Sequence, residues 1–300
     1  MRQYIAQNMP DKNGFLTISG KDFKYLSQVL RLKCNDEIWV RFPDGSLRKM
    51  FVKKVQSKMM IFTLSDDKNL TDEKKSKENV EASSIKPTSI EYWVFQFVPM
   101  HAQLDLIIRQ CTECGISKIV PILGQRSPCL NEQAIKAKDE RFKRLVKEAR
   151  QQSGSPVDTK IFEPMKLENA LKIWLDEKNL DEKSLNKSNN SVNSDMDIAE
   201  NNKGIDSVAF VLHEADIANK TLFEYASSAM ELSKNSVKKV ALAIGPEGGM
   251  TKEEVTAFEN AGFNLIHFET NVLRCETACL YGIASIQSIF TEYKQWQKRE

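Results

Sequence analysis

At 300 residues and 41% hydrophobic content the chain can build two domains with a core each, and no segment approaches the ~20 apolar residues that cross a bilayer. The opening MRQYIAQNM has no apolar run behind it, which argues against a secretory signal and reads the six cysteines as reduced thiols of a cytoplasmic protein. The net charge of +2 is unevenly spread: residues 1–65 hold twelve Lys/Arg against five Asp/Glu, 136–152 seven against three, and 176–206 four against eight, a distribution suited to gripping a polyanion with part of the surface.

Residues 1–65 read as a small all-β barrel. Trp39–Phe42 and Met50–Val52 are apolar runs flanking the turn signal Pro43-Asp44-Gly45-Ser46, and Met59–Leu64 is a third. One helix is expected near Phe23–Leu32, with Phe23, Leu26, Val29 and Leu30 at helical spacing on its inner side. Residues 66–88 are dense in charge and poor in apolar content, the composition of a linker. From residue 89 strands alternate with helices. EYWVFQFV is a strand. Leu104, Ile107, Ile108 and Cys111 form a helical stripe that stops at Gly115. SKIVPIL is a strand, and 134–152 a basic amphipathic helix with Phe142, Leu145 and Val146 inside. VAFVLHE and VKKVALAI are two more strands of buried type. This order implies a parallel sheet covered on both faces, an α/β domain over 89–300. The Asn/Ser/Asp/Lys-rich stretch 176–206 is expected to be a disordered insertion within it.

The chemistry concentrates in 240–290. Strand Val240–Ile244 runs into Gly245-Pro246-Glu247-Gly248-Gly249, and a helix begins at once, since Thr251 and Glu254 have capping-box spacing. Three glycines in five positions let the backbone approach a ligand closely, in the crevice where α/β sheets bind them. The turn is no nucleotide fingerprint: it lacks G-x-G-x-x-G order, no G-x-x-x-x-G-K-[ST] occurs, and Glu247 would repel a phosphate. It suits a neutral or cationic ligand. A strand over Asn264–Phe268 then leads to Val272-Leu273-Arg274-Cys275-Glu276-Thr277-Ala278 and a long helix to Phe290. Cys111-x-x-Cys114 and Cys275-x-x-x-Cys279 invite a zinc reading, but both pairs fall in expected helices, where cysteines pack as small apolar residues, and no metal is expected.

The run IGPEGG, a following T-x-x-E helix start and LR-x-ETA about two dozen residues later resemble the signature of the 16S ribosomal RNA uracil-N3 methyltransferases, within the SPOUT class of knotted methyltransferases. The resemblance covers nearly the whole chain. Val29-Leu30-Arg31, Cys111-Thr112-Glu113-Cys114-Gly115-Ile116, Gln125-Arg126-Ser127, Ala149-Arg150-Gln151-Gln152-Ser153 and Leu212-His213-Glu214 add weaker matches in the same order. It implies a deep trefoil knot with a parallel sheet, a small N-terminal PUA-like RNA-binding barrel, a homodimer, and S-adenosylmethionine as cofactor. The adenosyl group would lie against Leu212, His213 and Glu214, Gly245, Pro246, Glu247, Gly248 and Gly249, and Phe268, Val272 and Leu273, with Thr277 and Ala278 closing the pocket. His213 would act through its backbone. Methylating N3 of uracil requires loss of the N3 proton, so Arg274 is the candidate stabiliser of the resulting anion and Glu276 the candidate base or partner of Arg274. Arg2, Arg31 and Arg126 are candidates for RNA phosphates of the small ribosomal subunit. The chain departs from the pattern at Phe268-Glu269 (usually Leu-Gly) and Asn271 (usually Arg), and Glu269 would bring a carboxylate to the pocket edge. Two other readings fit the same residues: an RNA-binding assembly factor with weak or lost catalysis, and a methyltransferase for a different RNA nucleoside.

Overall fold

The computed structural model describes residues 3–64, 89–128, 131–188, 206–214, 218–233 and 237–292. These fall into two compact units, one built from 3–64 with Lys147–Pro156, the other from the remainder. The expected linker 66–88 lies outside the described residues, as does Arg2.

In the first unit β1 (Gln3–Ile5), β2 (Phe15–Ser19), β3 (Glu37–Arg41), β4 (Leu47–Val55) and β5 (Met59–Leu64) form one sheet in the order β1-β3-β4-β5-β2. Period-two alternation builds it: Met50 and Val52 of β4 point inward while Lys49 and Lys53 face solvent. The inward set, including Leu16, Val40, Met60 and Phe62, packs with Leu26 into a core of its own. Gly45 supplies the positive φ of +80° that the β3–β4 turn requires. The helix α1 (Gly20–Lys24) continues as a π-helical turn, Tyr25–Val29. That wider turn breaks the 3.6-residue phase, so Leu26 is buried but Val29, expected inside, is 66% exposed. The Lys147–Pro156 segment joins this unit through buried polar bonds that the charge pattern did not foretell. Gln3 Nε2 donates to the Arg150 and Ser155 carbonyls at 3.0 and 3.2 Å, and Arg41 Nε donates to Gln3 Oε1 at 2.9 Å.

The second unit is α/β. Its six strands, β6 (Glu91–Phe97), β7 (Lys118–Ile122), β8 (Lys160–Ile161), β9 (Ser207–Leu212), β10 (Lys239–Ile244) and β11 (Phe263–Ile266), are all parallel in the order β11-β9-β10-β6-β7-β8. β6 and β10 lie at its centre, and every residue of β10 is buried. That explains why both read as largely apolar runs, since each face meets a separate core. One core gathers Ile107, Ile108 and Cys111 of α2 (His101–Glu113) with Cys279 and Ile283 of α8 (Cys275–Gln287). The other stacks Trp93, Phe95, Trp174, Phe258 and Phe263, with Phe258 and Phe263 ring centroids 4.9 Å apart.

Three expectations are corrected. The basic segment 134–152 is two helices, α3 (Glu132–Lys136) and α4 (Asp139–Ser153), because Asp139 and Glu140 favour a fresh helix start at their position. The supposed insertion 176–206 begins inside α5 (Leu167–Ser188), where Glu177 receives Lys118 Nζ at 3.1 Å and Lys239 Nζ at 3.2 Å; residues 189–205 lie outside the described ones. Strand β11 ends at Ile266, two residues short of Phe268. The remaining helices are α6 (Leu222–Leu232) and α7 (Lys252–Asn260). Among the described residues no helix is long and apolar enough to cross a membrane.

Candidate active site

Strands β9, β10 and β11 run parallel and end on one edge of the sheet, where their carboxyl-end loops enclose a cavity of about 570 Å³. That is the size and place of a cofactor site in an open α/β sheet. Leu212, His213 and Glu214 enter it from the end of β9, and Gly245, Pro246, Glu247, Gly248 and Gly249 from the turn after β10. Phe268, Val272, Leu273, Arg274, Glu276 and Ala278 enter from the segment between β11 and α8 and from the first turns of that helix.

The turn is shaped by its own sequence. Gly249 N–H donates to the Pro246 carbonyl at 3.0 Å with φ at +70°, and a Cβ there would stand 2.9 Å from Glu214 Oε1. Only glycine lets the carboxylate of one strand end lie against the turn of the next. Glu247 is turned outward in part: its Oε1 accepts the Met100 N–H at 2.9 Å, at the start of α2. At β11 the His267 ring is held by Nδ1 against the His213 carbonyl, 3.1 Å away, while His213 N–H donates to the Ile266 carbonyl at 3.0 Å. The His213 backbone therefore ties the two strand ends together.

Three carboxylates, Glu214, Glu247 and Glu276, line the cavity against one guanidinium, Arg274. Such a lining disfavours a phosphate-rich nucleotide and favours a ligand carrying positive charge. Cys275 Sγ lies 3.3 Å from Glu276 Oε2, and burial, then Glu276 and then Glu247, push its thiol up to about 12. It stays protonated at neutral pH, so it serves as a donor that orients Glu276 and not as a nucleophile.

A model of the RNA methyltransferase domain matches residues 86–287. The chain belongs to the RNA methyltransferase family. Among curated members it is 25% identical over 299 residues to "Ribosomal RNA small subunit methyltransferase E 2" of Borreliella burgdorferi, covering 98% of this chain and 99% of that one. To "Ribosomal RNA small subunit methyltransferase E" of Aquifex aeolicus it is 28% identical over 218 residues, 72% of this chain and 75% of that one. The fold matches the crystal structure of a ribosomal RNA small subunit methyltransferase E from Neisseria gonorrhoeae bound to S-adenosyl methionine. The TM-score is 0.68 at 16% identity, over 98% of this chain and 99% of that one. A Legionella pneumophila protein in complex with the bound cofactor SAM matches with TM-score 0.66 at 16% identity, over 96% of each chain.

Several candidate residues of this RNA methyltransferase stand differently from expectation. Thr277 is exposed and does not line the cavity. Cys275 and Ala278, three apart, share the cavity-facing side of α8, and Thr277, about 200° from Cys275, falls on the opposite one. Glu269 is also exposed and off the lining, because Thr270 N–H closes a tight turn onto the Phe268 carbonyl at 2.7 Å that throws the intervening side chain outward. Among the described residues Arg274 and Glu276 form no ion pair, so the two lie in one cavity without neutralising each other. Arg31 belongs to the other unit, exposed at φ +56°. Arg126 does not line the cavity; its Nη1 donates to the Gly248 carbonyl at 3.2 Å. Sequence reasoning missed Gln103, Ile244, Met250, His267 and Cys275 among the lining residues. The available signal was adjacency: Ile244, Met250, His267 and Cys275 each neighbour a residue already placed in the pocket by the sequence. The sulfurs of Cys111 and Cys279 lie 3.8 Å apart in the core.

Proposed function

We propose that the chain transfers a methyl group from S-adenosylmethionine to N3 of a uridine in 16S ribosomal RNA of the small subunit. The observation that carries this reading is a glycine-turn cavity of cofactor size, rich in carboxylates, holding Arg274 and Glu276 at the N-terminus of α8. The residues fit the cofactor. Leu212, Phe268, Leu273 and Ala278 offer apolar surface to an adenosyl group, the turn and the β9 end offer backbone donors and acceptors, and Glu214 offers a carboxylate to a cationic centre. When bound, S-adenosylmethionine supplies an electrophilic methyl on a sulfonium. The names of the curated relatives support the small-subunit RNA as target.

The chain's own part is to prepare the uracil. Glu276, oriented by the Cys275 thiol and free of a bond to Arg274, accepts the N3 proton. Arg274, exposed at the N-cap of α8, stabilises the charge that then spreads over the ring carbonyls. Arg31 and the lysine-bearing outer face of β4 contact phosphates, with Arg2, outside the described residues, as a further contact. In this reading the segments lining the cavity form the trefoil knot of the SPOUT class, the N-terminal sheet is a PUA-like barrel, and the protein works as a cytoplasmic homodimer without a metal.

The test is incubation of the protein with radiolabelled S-adenosylmethionine and small subunits lacking this class of methylation, followed by nucleoside analysis. Label in 3-methyluridine is expected, with Arg274→Ala lowering turnover on the order of a hundredfold. Label in another nucleoside, or saturable RNA binding with no label, would replace this reading by one of its two rivals.

A further inference from the structure

Gln125-Arg126-Ser127 follows β7, on the far side of β6 from β10, and no step of the proposed chemistry uses it. Its bonds lead to the glycine turn. Arg126 Nη1 donates to the Gly248 carbonyl at 3.2 Å and reaches the Met250 carbonyl at 3.5 Å. Each of those peptide groups is held at its other end as well. The 248–249 unit has its N–H on the Pro246 carbonyl at 3.0 Å, and the 250–251 unit has its N–H on Glu254 Oε2 at 2.8 Å. A trans peptide is planar, so fixing both the C=O and the N–H fixes its orientation. The loop that carries Arg126 is anchored by the same glutamate: Gln125 N–H donates to Glu254 Oε1 at 2.8 Å, and Gly124 N–H to Ser127 Oγ at 3.2 Å. Glu254 is only 5% exposed. Gly248 completes the fit, because a Cβ there would press to 3.3 Å from Arg126 Cβ.

We infer that Arg126 and Glu254 are positioning residues that cross-brace the turn Gly245–Met250 and so pre-shape the wall of the cofactor cavity, in place of the phosphate contact that the sequence suggested for Arg126. With Nη1 committed to two main-chain carbonyls the guanidinium has fewer donors to offer a phosphate, and a turn held in one orientation need not be ordered when the cofactor binds. The inference rests on the reading of the cavity as an S-adenosylmethionine site, but its first test does not. In the free full-length protein, Arg126→Gln is expected to speed amide exchange at Gly249 and Thr251 about tenfold, the factor that matches a net hydrogen bond near 1.4 kcal/mol. Exchange at Leu242 in β10 should be unchanged. Uniform acceleration, or none, would overturn the brace. The second test is calorimetry and kinetics on the same variant. S-adenosylmethionine should bind about tenfold more weakly, with turnover at saturating cofactor and affinity for small subunits both held, and Arg126→Lys should recover part of the loss. Weaker binding to small subunits with unchanged cofactor affinity would overturn the inference and return Arg126 to the RNA. Wild-type protein that binds no S-adenosylmethionine would sink the cofactor reading, leaving the exchange result to decide the brace.

Discussion

Helices α6 and α7 begin with the same signal, a threonine followed three residues later by a glutamate, and the local bonds are nearly identical. Thr221 N–H donates to Glu224 Oε2 at 2.7 Å and Thr251 N–H to Glu254 Oε2 at 2.8 Å, while each glutamate N–H returns to the threonine hydroxyl at 3.2 Å. What differs is the surroundings. Glu224 is at the surface and caps a helix, nothing more. Glu254 is buried, and its second oxygen takes the Gln125 N–H from another loop. The motif sets the helix start in both places, and the residue opposite decides whether it also joins two parts of the molecule.

The sharpest way to break that comparison is to remove each carboxylate. Glu254→Ala leaves the buried Thr251 N–H and the part-buried Gln125 N–H without an acceptor, and is expected to cost about 2–3 kcal/mol on urea denaturation. Glu224→Ala exposes its donor to water and should shift the midpoint several-fold less. Equal shifts would mean that burial adds nothing to the box.

Next in size is a comparison of two glycines with positive φ. Gly249→Ala and Gly45→Ala both force a left-handed alanine, worth about 1–2 kcal/mol each. They differ in what the new methyl meets: at Gly249 it comes within 2.9 Å of Glu214 Oε1, whereas at Gly45 there is nothing within 4 Å. Cofactor affinity should fall at least about tenfold for the first, as expected when the wall of a site is displaced, and hold for the second. An unaffected affinity in Gly249→Ala would separate the turn from the site.

A smaller effect follows from pH. The Thr221 backbone N–H and then its hydroxyl hold the Glu224 carboxyl below its ordinary value. A carboxylate depressed in the folded state stabilises fully above its unfolded pKa of about 4.3, and the contribution disappears as pH falls through the lower folded value. Amide exchange at Thr221 and Glu224, followed downward in pH at constant intrinsic rate, should show α6 fraying at its first turn only below that range. Fraying that begins near neutral pH would place the protecting interaction elsewhere.

Much of this was legible in the chain. Strands β5, β6 and β10 are mostly apolar runs bounded by turn residues, and the T-x-x-E starts are local, so residue type alone located them. The cavity lining was legible for the same reason: the β9 end, the glycine turn and 268–278 are contiguous stretches at strand ends. What failed was what depends on partners far along the chain or on phase within a helix. Nothing local tells Glu254 from Glu224, or sends Arg126 to a carbonyl 122 positions away. Nothing local shows that a π-helical turn would expose Val29, or that α5 would carry Glu177 back onto Lys118 and Lys239.

Thr277 is where helical phase makes a prediction of its own, the smallest of the set. The family resemblance placed it beside Ala278 in the cofactor pocket, but in α8 the two adjacent residues face about 100° apart, and only Ala278 meets the cavity. An exposed threonine on the outer side should be replaceable by valine with cofactor affinity changed by no more than about twofold, the ordinary span of a surface substitution. Ala278→Leu, placing three more carbons in the cavity, should weaken the cofactor far more while leaving the fold intact. Calorimetry on the pair decides it. If Thr277→Val is the more damaging, the helix must turn to bring residue 277 inward when the site fills, and the wall formed by α8 would be a moving part while the braced glycine turn stays fixed.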